Sequence, residues 1–461
     1  MTARTTVPAA STSTPATLPR CLAVEWLLPE PGRPPLALTE PRLTLGRDED
    51  CDVVLGGDEA SRRHAELVCD GPLCVLRDLG STNGTHLNGQ RVTEAPLAPG
   101  NVIRVGAALG VVVAWSEQDA DVGASFGELA PGLCGGRRLA AAVREAELAA
   151  ATDLPVIVQG ETGTGKECVA RAIHAWSRRR GDFVALNCAA LPESLAEAEL
   201  FGYRKGAFTG ADRASPGLFR AAHEGTLLLD EVIDLPLELQ SKLLRVLEQS
   251  EVVPLGESRP VPVDVRMVVA AQEPLAAAVS QKRFRADLYA RLNGLEVLLP
   301  PLRERVEDVG GLLLHFLNDL SGGQAPRVGA KLLERLCLHD FPFNVRELQL
   351  LARRLLVLHG HEPELRRSHL PPALKNDAGT RRRSESEKGP APVVEPADRD
   401  EHDLTRLAEA LREHGGHVTR AAAAAGISRQ RAYRLMRGLQ RIDLDEMRRG
   451  QPVASGNGRP E

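Results

Sequence analysis

A glycine-rich loop that ends in lysine is the feature of this sequence with the most specific chemical use. The loop follows the apolar residues Val156 to Val158 and precedes a helical pattern. Its glycines let backbone N–H groups turn towards a phosphate, the helix N-terminus adds a positive field, and the lysine reaches the β and γ phosphates of a nucleotide. The predicted ATP-binding residues are Gly160, Glu161, Thr162, Gly163, Thr164, Gly165, Lys166 and Glu167.

Two acidic residues at the end of a second apolar strand complete this chemistry. Glu167 stands where such loops usually carry Ser or Thr, so a bound Mg²⁺ needs a carboxylate from elsewhere. Asp230 and Glu231 follow Leu227 to Leu229, and we expect Asp230 to hold Mg²⁺ through water while Glu231 polarises the attacking water. A solvated acidic turn is the alternative for this pair alone, but both motifs together favour nucleotide hydrolysis.

The elements that must position these residues follow from shifts in composition along the 461 residues. Segments rich in Ser, Thr, Pro, Gly or charge predict a disordered N-terminus, two linkers and a disordered tail, at 1–20, 117–131, 375–400 and 450–461. Between them the patterns predict an all-β sandwich, a parallel α/β domain, an all-helical lid and an all-α, arginine-rich domain, at 21–116, 132–300, 301–374 and 401–449. The chain is therefore predicted to be multidomain.

Composition excludes several classes of protein. The net charge of -5 rules out bulk attraction to a polyanion, so any nucleic-acid surface must be local. The eight cysteines form no pair or cluster at zinc spacing, and we expect reduced, mostly buried thiols. No run reaches the roughly 20 apolar residues that span a bilayer. We therefore expect a cytoplasmic protein with no membrane partner.

The central block contains a run that points to a family. Glu199-Leu200-Phe201-Gly202-Tyr203-Arg204-Lys205-Gly206-Ala207-Phe208-Thr209-Gly210-Ala211 resembles the signature insertion of sigma-54-dependent transcription activators, the bacterial enhancer-binding proteins of the AAA+ class. The resemblance covers 132–374 and implies ATP and Mg²⁺ as cofactors, sigma-54 RNA polymerase as partner, and a homo-oligomer that grows from dimer to hexameric ring. The residues implied to contact sigma-54 are Gly206, Ala207, Phe208, Thr209, Gly210 and Ala211.

The same resemblance assigns roles to four more residues. Asn187 is similar to the switch residue that restrains the catalytic Glu231, Arg285 and Arg291 resemble arginine fingers that act on a neighbouring subunit, and Arg346 resembles the sensor arginine of the lid. The implied catalytic set is Lys166, Asp230, Glu231, Asn187, Arg285, Arg291 and Arg346.

Two motifs depart from the family pattern. Ala271-Gln272 stands where the family usually has Thr-Asn, and Phe341-Pro342-Phe343-Asn344 stands in place of Trp-Pro-Gly-Asn. The first change loses a hydroxyl and lengthens an amide. We expect a slow but competent ATPase.

An ordered set of motifs in the first block resembles the forkhead-associated (FHA) domain, an eleven-stranded β-sandwich that binds phosphothreonine peptides. The set includes Gly46-Arg47, Ser61-Arg62-Arg63-His64 and Ser81-Thr82-Asn83-Gly84-Thr85. The resemblance implies that charged and hydroxyl side chains bind the phosphate and that His64 braces the loops from inside. The implied phosphothreonine-binding residues are Arg47, Ser61, Arg62, Thr82 and Asn83. The partner would be a phosphorylated protein or the chain's own Thr-rich residues 1–20.

The last block resembles a Fis-type helix-turn-helix. Gly426 would make the tight turn and Ser428 would cap the next helix, in a stretch from Arg420 to Arg441 without acidic residues. The residues implied to contact upstream promoter DNA are Ser428, Arg429, Gln430, Arg431 and Arg434. An amphipathic dimerisation helix with a solvated basic face is the alternative.

Together the blocks predict an ATP-hydrolysing activator of sigma-54 RNA polymerase that binds upstream DNA and is regulated through phosphothreonine, in a manner like two-component signalling. One alternative is a DNA-bound phosphoprotein receptor with a vestigial ATPase. A second is an AAA+ protein that remodels another partner, such as a chelatase or protease relative.

Overall fold

The computed structural model describes residues 21–29, 34–70, 73–115, 126–208 and 211–375. The chain divides into two compact units, Met1–Arg381 and Arg382–Glu461. Every element below belongs to the first unit. The predicted helix-turn-helix at 401–449 lies outside the described residues.

The N-terminal block is a sandwich of two sheets, as predicted. Its strands are β1 (Cys21–Leu28), β2 (Leu36–Ala37), β3 (Arg42–Gly46), β4 (Val53–Val54), β5 (Ala65–Asp70), β6 (Leu73–Asp78), β7 (Thr85–Leu87), β8 (Gln90–Val92), β9 (Glu94–Pro96), β10 (Val102–Val105) and β11 (Ala108–Trp115). The six-stranded sheet has the order β2-β1-β11-β10-β7-β8, and the five-stranded sheet has the order β4-β3-β5-β6-β9. Leu22, Val24 and Trp26 of β1 pack between the sheets against residues such as Leu67 and Leu76.

The central block is an α/β domain built on a parallel sheet. Its strands are β12 (Gly127–Ala130), β13 (Leu133–Gly135), β14 (Val156–Gln159), β15 (Phe183–Asn187), β16 (Thr226–Asp230), β17 (Glu251–Val252), β18 (Val261–Pro262), β19 (Arg266–Ala271) and β20 (Leu295–Leu298). Its helices are α1 (Arg137–Ala149), α2 (Lys166–Ser177), α3 (Glu193–Phe201), α4 (Leu218–Ala221), α5 (Leu237–Gln249), α6 (Leu275–Ser280) and α7 (Ala286–Leu292).

Five of these strands form the main sheet, in the order β15-β16-β19-β14-β20, and every pair is parallel. Strands β14, β16 and β19 are almost continuously apolar because helices cover both faces of a parallel sheet. β12 lies in the segment 117–131 that was expected to be a linker, and it pairs with β13.

The lid comprises α8 (Glu307–Ser321), α9 (Ala330–Cys337), α10 (Asn344–His359) and α11 (Pro372–Lys375). It also contains the short parallel pair β21 (Arg327–Val328) and β22 (Glu364–Leu365), so the prediction of an all-helical lid is wrong at this point. The pair carries only two residues a strand, too few for an alternating pattern in the sequence, and it forms because Leu365 is buried in the lid core. Within the described ranges, no helix is long and apolar enough to cross a bilayer.

Candidate functional site

The glycine-rich loop joins β14 to α2, as the sequence predicts. Gly163 and Gly165 have φ of +78° and +106°, a region where other residues are strained. A Cβ on Gly163 would lie 2.2 Å from the Phe343 carbonyl oxygen of the lid, so glycine is required there for close approach as well. The loop therefore curls tightly around the N-terminus of α2, where a phosphate would bind.

Lys166 is the first residue of α2 and is only 7% exposed. Its Nζ donates to the Gly160 carbonyl oxygen at 3.0 Å, an acceptor that nucleotide phosphate oxygens would replace. Burial lowers the pKa of Lys166, while Glu231 and Asp230 raise it and Arg346 lowers it further. The ammonium is therefore held in a partly desolvated site that faces two carboxylates.

Those carboxylates lie at the end of β16. The Glu231 N–H donates to Asp230 Oδ1 at 3.1 Å, and Glu231 itself has φ of +53°. A non-glycine residue in this region is uncommon and is held there by its surroundings, a feature that clusters at functional sites. Nowhere in the described ranges do three His, Cys, Asp or Glu side chains form a metal-binding group. The donor set fits Mg²⁺ held by Asp230 together with water and nucleotide phosphates, as this ion usually binds.

Gln272 is hydrogen-bonded directly to the proposed base, Glu231. It follows β19, which neighbours β16, so their carboxyl ends meet and Gln272 Nε2 donates to Glu231 Oε1 at 2.6 Å. Asn187, the residue expected to restrain Glu231, pairs with Asp230 across the sheet, and its Oδ1 accepts from the Ala190 N–H at 3.2 Å. The sequence marked Gln272 only as a departure, yet its longer amide reaches Glu231.

Three lid-side residues that the sequence reasoning missed hold the loop. Arg303 forms two bonds with the Glu161 carboxylate, at 2.6 and 2.8 Å, and Asn344 Nδ2 donates to it at 3.2 Å. These bonds lower the pKa of Glu161, with Arg303 as the main cause. Arg305, which is 1% exposed, donates to the Thr164 carbonyl oxygen at 2.8 Å. The sequence signal that could have identified these arginines is a set of charged residues in a segment that also contains the buried Leu302.

The predicted arginines lie in two different settings. Arg346, on α10, brings its Cβ to 3.0 Å from a Cβ built on Gly163, so it lies beside the phosphate loop. Arg285 and Arg291 are exposed and make other contacts: Arg285 forms a two-pronged ion pair with Asp287, and Arg291 donates to the Leu247 carbonyl oxygen at 2.9 Å. Their action on a neighbouring subunit stays a prediction.

The described residues at the two ends of the predicted sigma-54 loop lie close together. The Gly206 N–H donates to the Ala211 carbonyl oxygen at 2.9 Å, and the Ala211 N–H donates to that of Phe208 at 3.0 Å. The Phe208 ring is 37% exposed and lies edge-on to Tyr203, with centroids 5.0 Å apart. Thr209 and Gly210 lie outside the described residues. The turn thus presents an aromatic ring to solvent.

The predicted phosphothreonine residues gather at one end of the sandwich. Thr82 N–H donates to Ser61 Oγ at 3.2 Å, the Arg47 N–H donates to the Ser61 carbonyl oxygen at 3.0 Å, and Asn83 Nδ2 donates to the Glu59 carbonyl oxygen at 2.8 Å. Arg62 and Arg47 are exposed, and Arg47 pairs with Asp58 at 2.9 Å. These contacts bring Arg47, Ser61 and Thr82 to one group of loops, and binding of a phosphate by their side chains stays a prediction.

His64 supports this end from within, as expected. It is fully buried, and its Nδ1 accepts from the Ser61 N–H at 3.0 Å. Burial lowers the pKa of His64, so the ring is held neutral and can accept this bond. The DNA-binding set Ser428, Arg429, Gln430, Arg431 and Arg434 lies outside the described residues.

Comparisons with known protein families match three regions of the chain. The Sigma-54 interaction domain matches residues 134–298, the FHA domain matches 43–106, and the AAA+ ATPase lid domain matches 303–387. The first and third regions include the phosphate loop, the acidic pair and the lid contacts described above.

Proteins similar to this chain are found in bacteria. The chain is 50% identical over 211 residues to the DNA-binding transcriptional regulator NtrC of Bradyrhizobium sp., covering 45% of this chain and 44% of NtrC. It is 41% identical over 313 residues to the DNA-binding transcriptional activator HyfR of Escherichia coli, covering 66% of this chain and 46% of HyfR. The matched region thus spans about half the length of these curated relatives.

A crystal structure of NtrX from Brucella abortus in complex with ATP shares 29% identity with this chain, covering 70% of this chain and 72% of that one, with a TM-score of 0.48. The family matches rest on the central block, its lid and the sandwich. The central region of this chain therefore belongs to the sigma-54 interaction domain family, and the same chain carries an AAA+ ATPase lid domain and an FHA domain.

Proposed function

We propose that this protein hydrolyses ATP to activate sigma-54 RNA polymerase from an upstream DNA site, under control of phosphothreonine binding by its FHA domain. The observation that carries this proposal is the convergence of Lys166, Asp230 and Glu231 at one edge of the parallel sheet, in the same domain that presents the Phe208 turn. The family matches support the same conclusion.

In ATP hydrolysis, each residue at the sheet edge has a separate task. Lys166 and the N–H groups of the loop bind the β and γ phosphates, and Asp230 would hold Mg²⁺, which supplies charge neutralisation. Glu231 accepts a proton from the attacking water. Because Gln272 is bonded to Glu231, we expect it to restrain this base between turnovers. Arg285 and Arg291 of an adjacent subunit would complete the site, so hydrolysis would require the homo-oligomeric ring.

The energy of hydrolysis would be used at the Phe208 turn. Phe208 packs against Tyr203 yet remains partly exposed, so its ring is available to contact a partner protein. Movement of Gly206 to Ala211 against sigma-54 would relieve the block that keeps polymerase in a closed promoter complex. The tail residues Arg429 and Arg434 would hold the ring on upstream DNA.

The central test is ATP-dependent open-complex formation by sigma-54 polymerase with the full chain. We expect wild type to open promoters, Thr209→Ala to retain ATP turnover but fail to open them, and Glu231→Gln to fail in both. Arg213→Ala, a substitution of an exposed residue that follows the turn in sequence, is the matched control and should behave as wild type. Normal opening by Thr209→Ala would reject the loop assignment.

A second candidate function is a DNA-bound phosphoprotein receptor with a vestigial ATPase. The bond between Gln272 and Glu231 favours it, since a base that is permanently held cannot act. ATP turnover by the assembled protein that matches a Lys166→Ala control would establish this second function and reject the first.

A further inference from the structure

One sheet of the FHA sandwich is apolar on both faces. Along β1, the even-numbered Leu22 and Val24 enter the core of the sandwich, whereas Ala23 and Leu27 belong to the same apolar cluster as the lid helices. The sandwich residues in the lid cluster are Ala23, Leu27, Val102, Leu109, Val111 and Val113, and their partners there include Leu312, Leu313, Leu332, Leu333 and Leu336. Antiparallel sheets commonly leave one face in solvent, but the lid covers this one.

A buried ion pair fixes the register of this contact. Arg104 of β10 donates from Nε to Glu334 Oε2 of α9 at 2.7 Å, and both side chains are only 8% exposed. Burying two charges costs desolvation energy that their attraction only partly offsets, so such a pair specifies alignment more than it adds stability. A charged pair in this apolar contact indicates that the surfaces are matched to each other.

The lid helix α8 is shaped to receive the FHA domain. Gly310 and Gly311 lie inside this helix, where glycine is less favourable than alanine. A Cβ on Gly311 would lie 2.2 Å from Cγ of Phe126, and one on Gly310 would lie 3.4 Å from Cβ of Leu27. Gly311 therefore allows the Phe126 ring of the linker to lie directly on the helix backbone, whereas a Cβ on Gly310 would make only an ordinary contact with strand β1.

The first turn of the same helix connects this contact to the phosphate loop. Asp308 Oδ1 accepts from the Gly136 N–H at 2.8 Å, and Asp308 Oδ2 pairs with Arg305 at 3.4 Å. Arg305 in turn donates to the Thr164 carbonyl oxygen. On the other side, Arg104 pairs in register with His86, which follows the phosphothreonine loop. Contacts therefore run from the FHA ligand loop to α9 and from α8 to the nucleotide loop, and the two helices pack against each other where Leu333 lies beside Gly310.

We infer that α8 and α9 form a docking surface whose occupant is the FHA domain of the same chain, and that docking holds the lid against the phosphate loop. The route of regulation rests on the proposed function. Phosphothreonine binding alters the loop before β7, and the change reaches the nucleotide through Arg104, Glu334 and Arg305. A ligand shifts such an equilibrium only by binding the two states differently, and the shared strand β7 gives it that means.

The test is amide hydrogen exchange in the full chain, without any phosphopeptide. Arg104→Glu places two like charges in the buried contact, and we expect exchange in β1, β11 and α9 to become at least about tenfold faster. The charge-swapped double variant Arg104→Glu/Glu334→Arg should restore slow exchange. Arg91→Glu is the matched control, because Arg91 is exposed on β8 at the edge of the same six-stranded sheet.

Two further measurements make the result decisive. Unchanged exchange in β5 and β6 will show that the Arg104→Glu sandwich is still folded. The affinity for ADP should change at least about threefold in Arg104→Glu and return in the double variant, since the lid holds the phosphate loop. Wild-type exchange rates in β1 and β11 of Arg104→Glu, or no rescue by the double variant, would overturn the inference. A failure of ATP hydrolysis or promoter opening would leave these exchange results unchanged.

Discussion

The two proposed phosphate sites of the molecule are of opposite construction. At the FHA end the cation is Arg47, whose side chain is 46% exposed and already paired with Asp58. At the sheet edge the cation is Lys166, which is 7% exposed and bonded to a backbone carbonyl oxygen. The first site exchanges one surface ion pair for another, whereas the second encloses its ligand. The difference separates recognition of a phosphate from chemistry on it.

Enclosure of the nucleotide also explains why, of the two sites, only the one at the sheet edge is in contact with the lid. Arg303, Arg305 and Asn344 reach the phosphate loop from outside the parallel sheet. The FHA loops are instead braced from within by His64 and need no second domain. A change at each site should therefore have effects of different size and reach.

The largest effect is expected at Lys166. Lys166→Ala removes the buried ammonium that meets the β and γ phosphates, so ADP affinity should fall at least about a hundredfold, because a charged hydrogen bond in a desolvated site is lost. Isothermal titration calorimetry on the full chain measures it. Arg144→Ala, at an exposed residue of α1, is the control. A loss of less than tenfold would contradict the assignment.

At the open site the expected loss is smaller. Arg47→Ala should weaken binding of a phosphothreonine peptide selected from a degenerate library by roughly 10- to 100-fold, since one charge-assisted contact is worth about 1.5–3 kcal/mol. Fluorescence anisotropy measures it. The exposed neighbour Arg63→Ala serves as control. Equal binding by Arg47→Ala and wild type would remove Arg47 from the site.

A substitution of Gln272 tests whether its hydrogen bond restrains Glu231, the proposed base, in the enclosed site. Gln272→Leu keeps the size of the side chain but loses the bond to Glu231, so kcat for ATP should rise about three- to tenfold with KM unchanged. Steady-state kinetics of the assembled protein measure both. A lower kcat would show that Gln272 positions the base instead of restraining it.

The smallest effect lies at the contact between the two sites. Burial, then Glu307, raises the pKa of Glu25 to about 7, while Arg137 and Arg138 act in the opposite direction. Burial also raises the pKa of Asp308, which faces the same cluster, to about 7. A raised carboxyl pKa means that the folded state binds the proton more tightly, so its stabilisation is complete below the ordinary pKa of 4.5 and is lost as pH rises through about 7.

Glu25→Gln should therefore reduce the fall in melting temperature between about pH 5 and about pH 8. Part of the fall should persist, because Asp308 remains. Glu40→Gln, at an exposed carboxyl of the same domain, is the matched control. Parallel melting curves for Glu25→Gln and wild type would contradict the assignment of this titration to Glu25.

Local patterns in the sequence predicted much of the fold and of both sites. The apolar run before Gly160 and the run before Asp230 are β14 and β16, two parallel strands on either side of β19. Their carboxyl ends therefore lie at the same edge of the sheet, which places Lys166 near Asp230. The sequence predicts the FHA loops because their turn residues and their polar side chains are consecutive in the chain.

The remaining contacts join residues far apart in the chain and carry no local signal. Arg104 and Glu334 are 230 positions apart, and Arg305 and Thr164 are 141 apart. One clue was available in Val111-Val112-Val113, because an antiparallel strand that is apolar at consecutive positions must be covered on both faces. The covering partner could come only from the structure.

The two-faced sheet has a practical consequence for dissecting this protein into fragments. A recombinant fragment that ends at Trp115 would expose Leu27, Val111 and Val113, and one that starts at Phe126 would uncover Leu312 and Leu333. Both truncated surfaces are apolar strips that favour self-association. Oligomers seen with either fragment would therefore report on the cut, and assembly is best measured on chains that include 21–375.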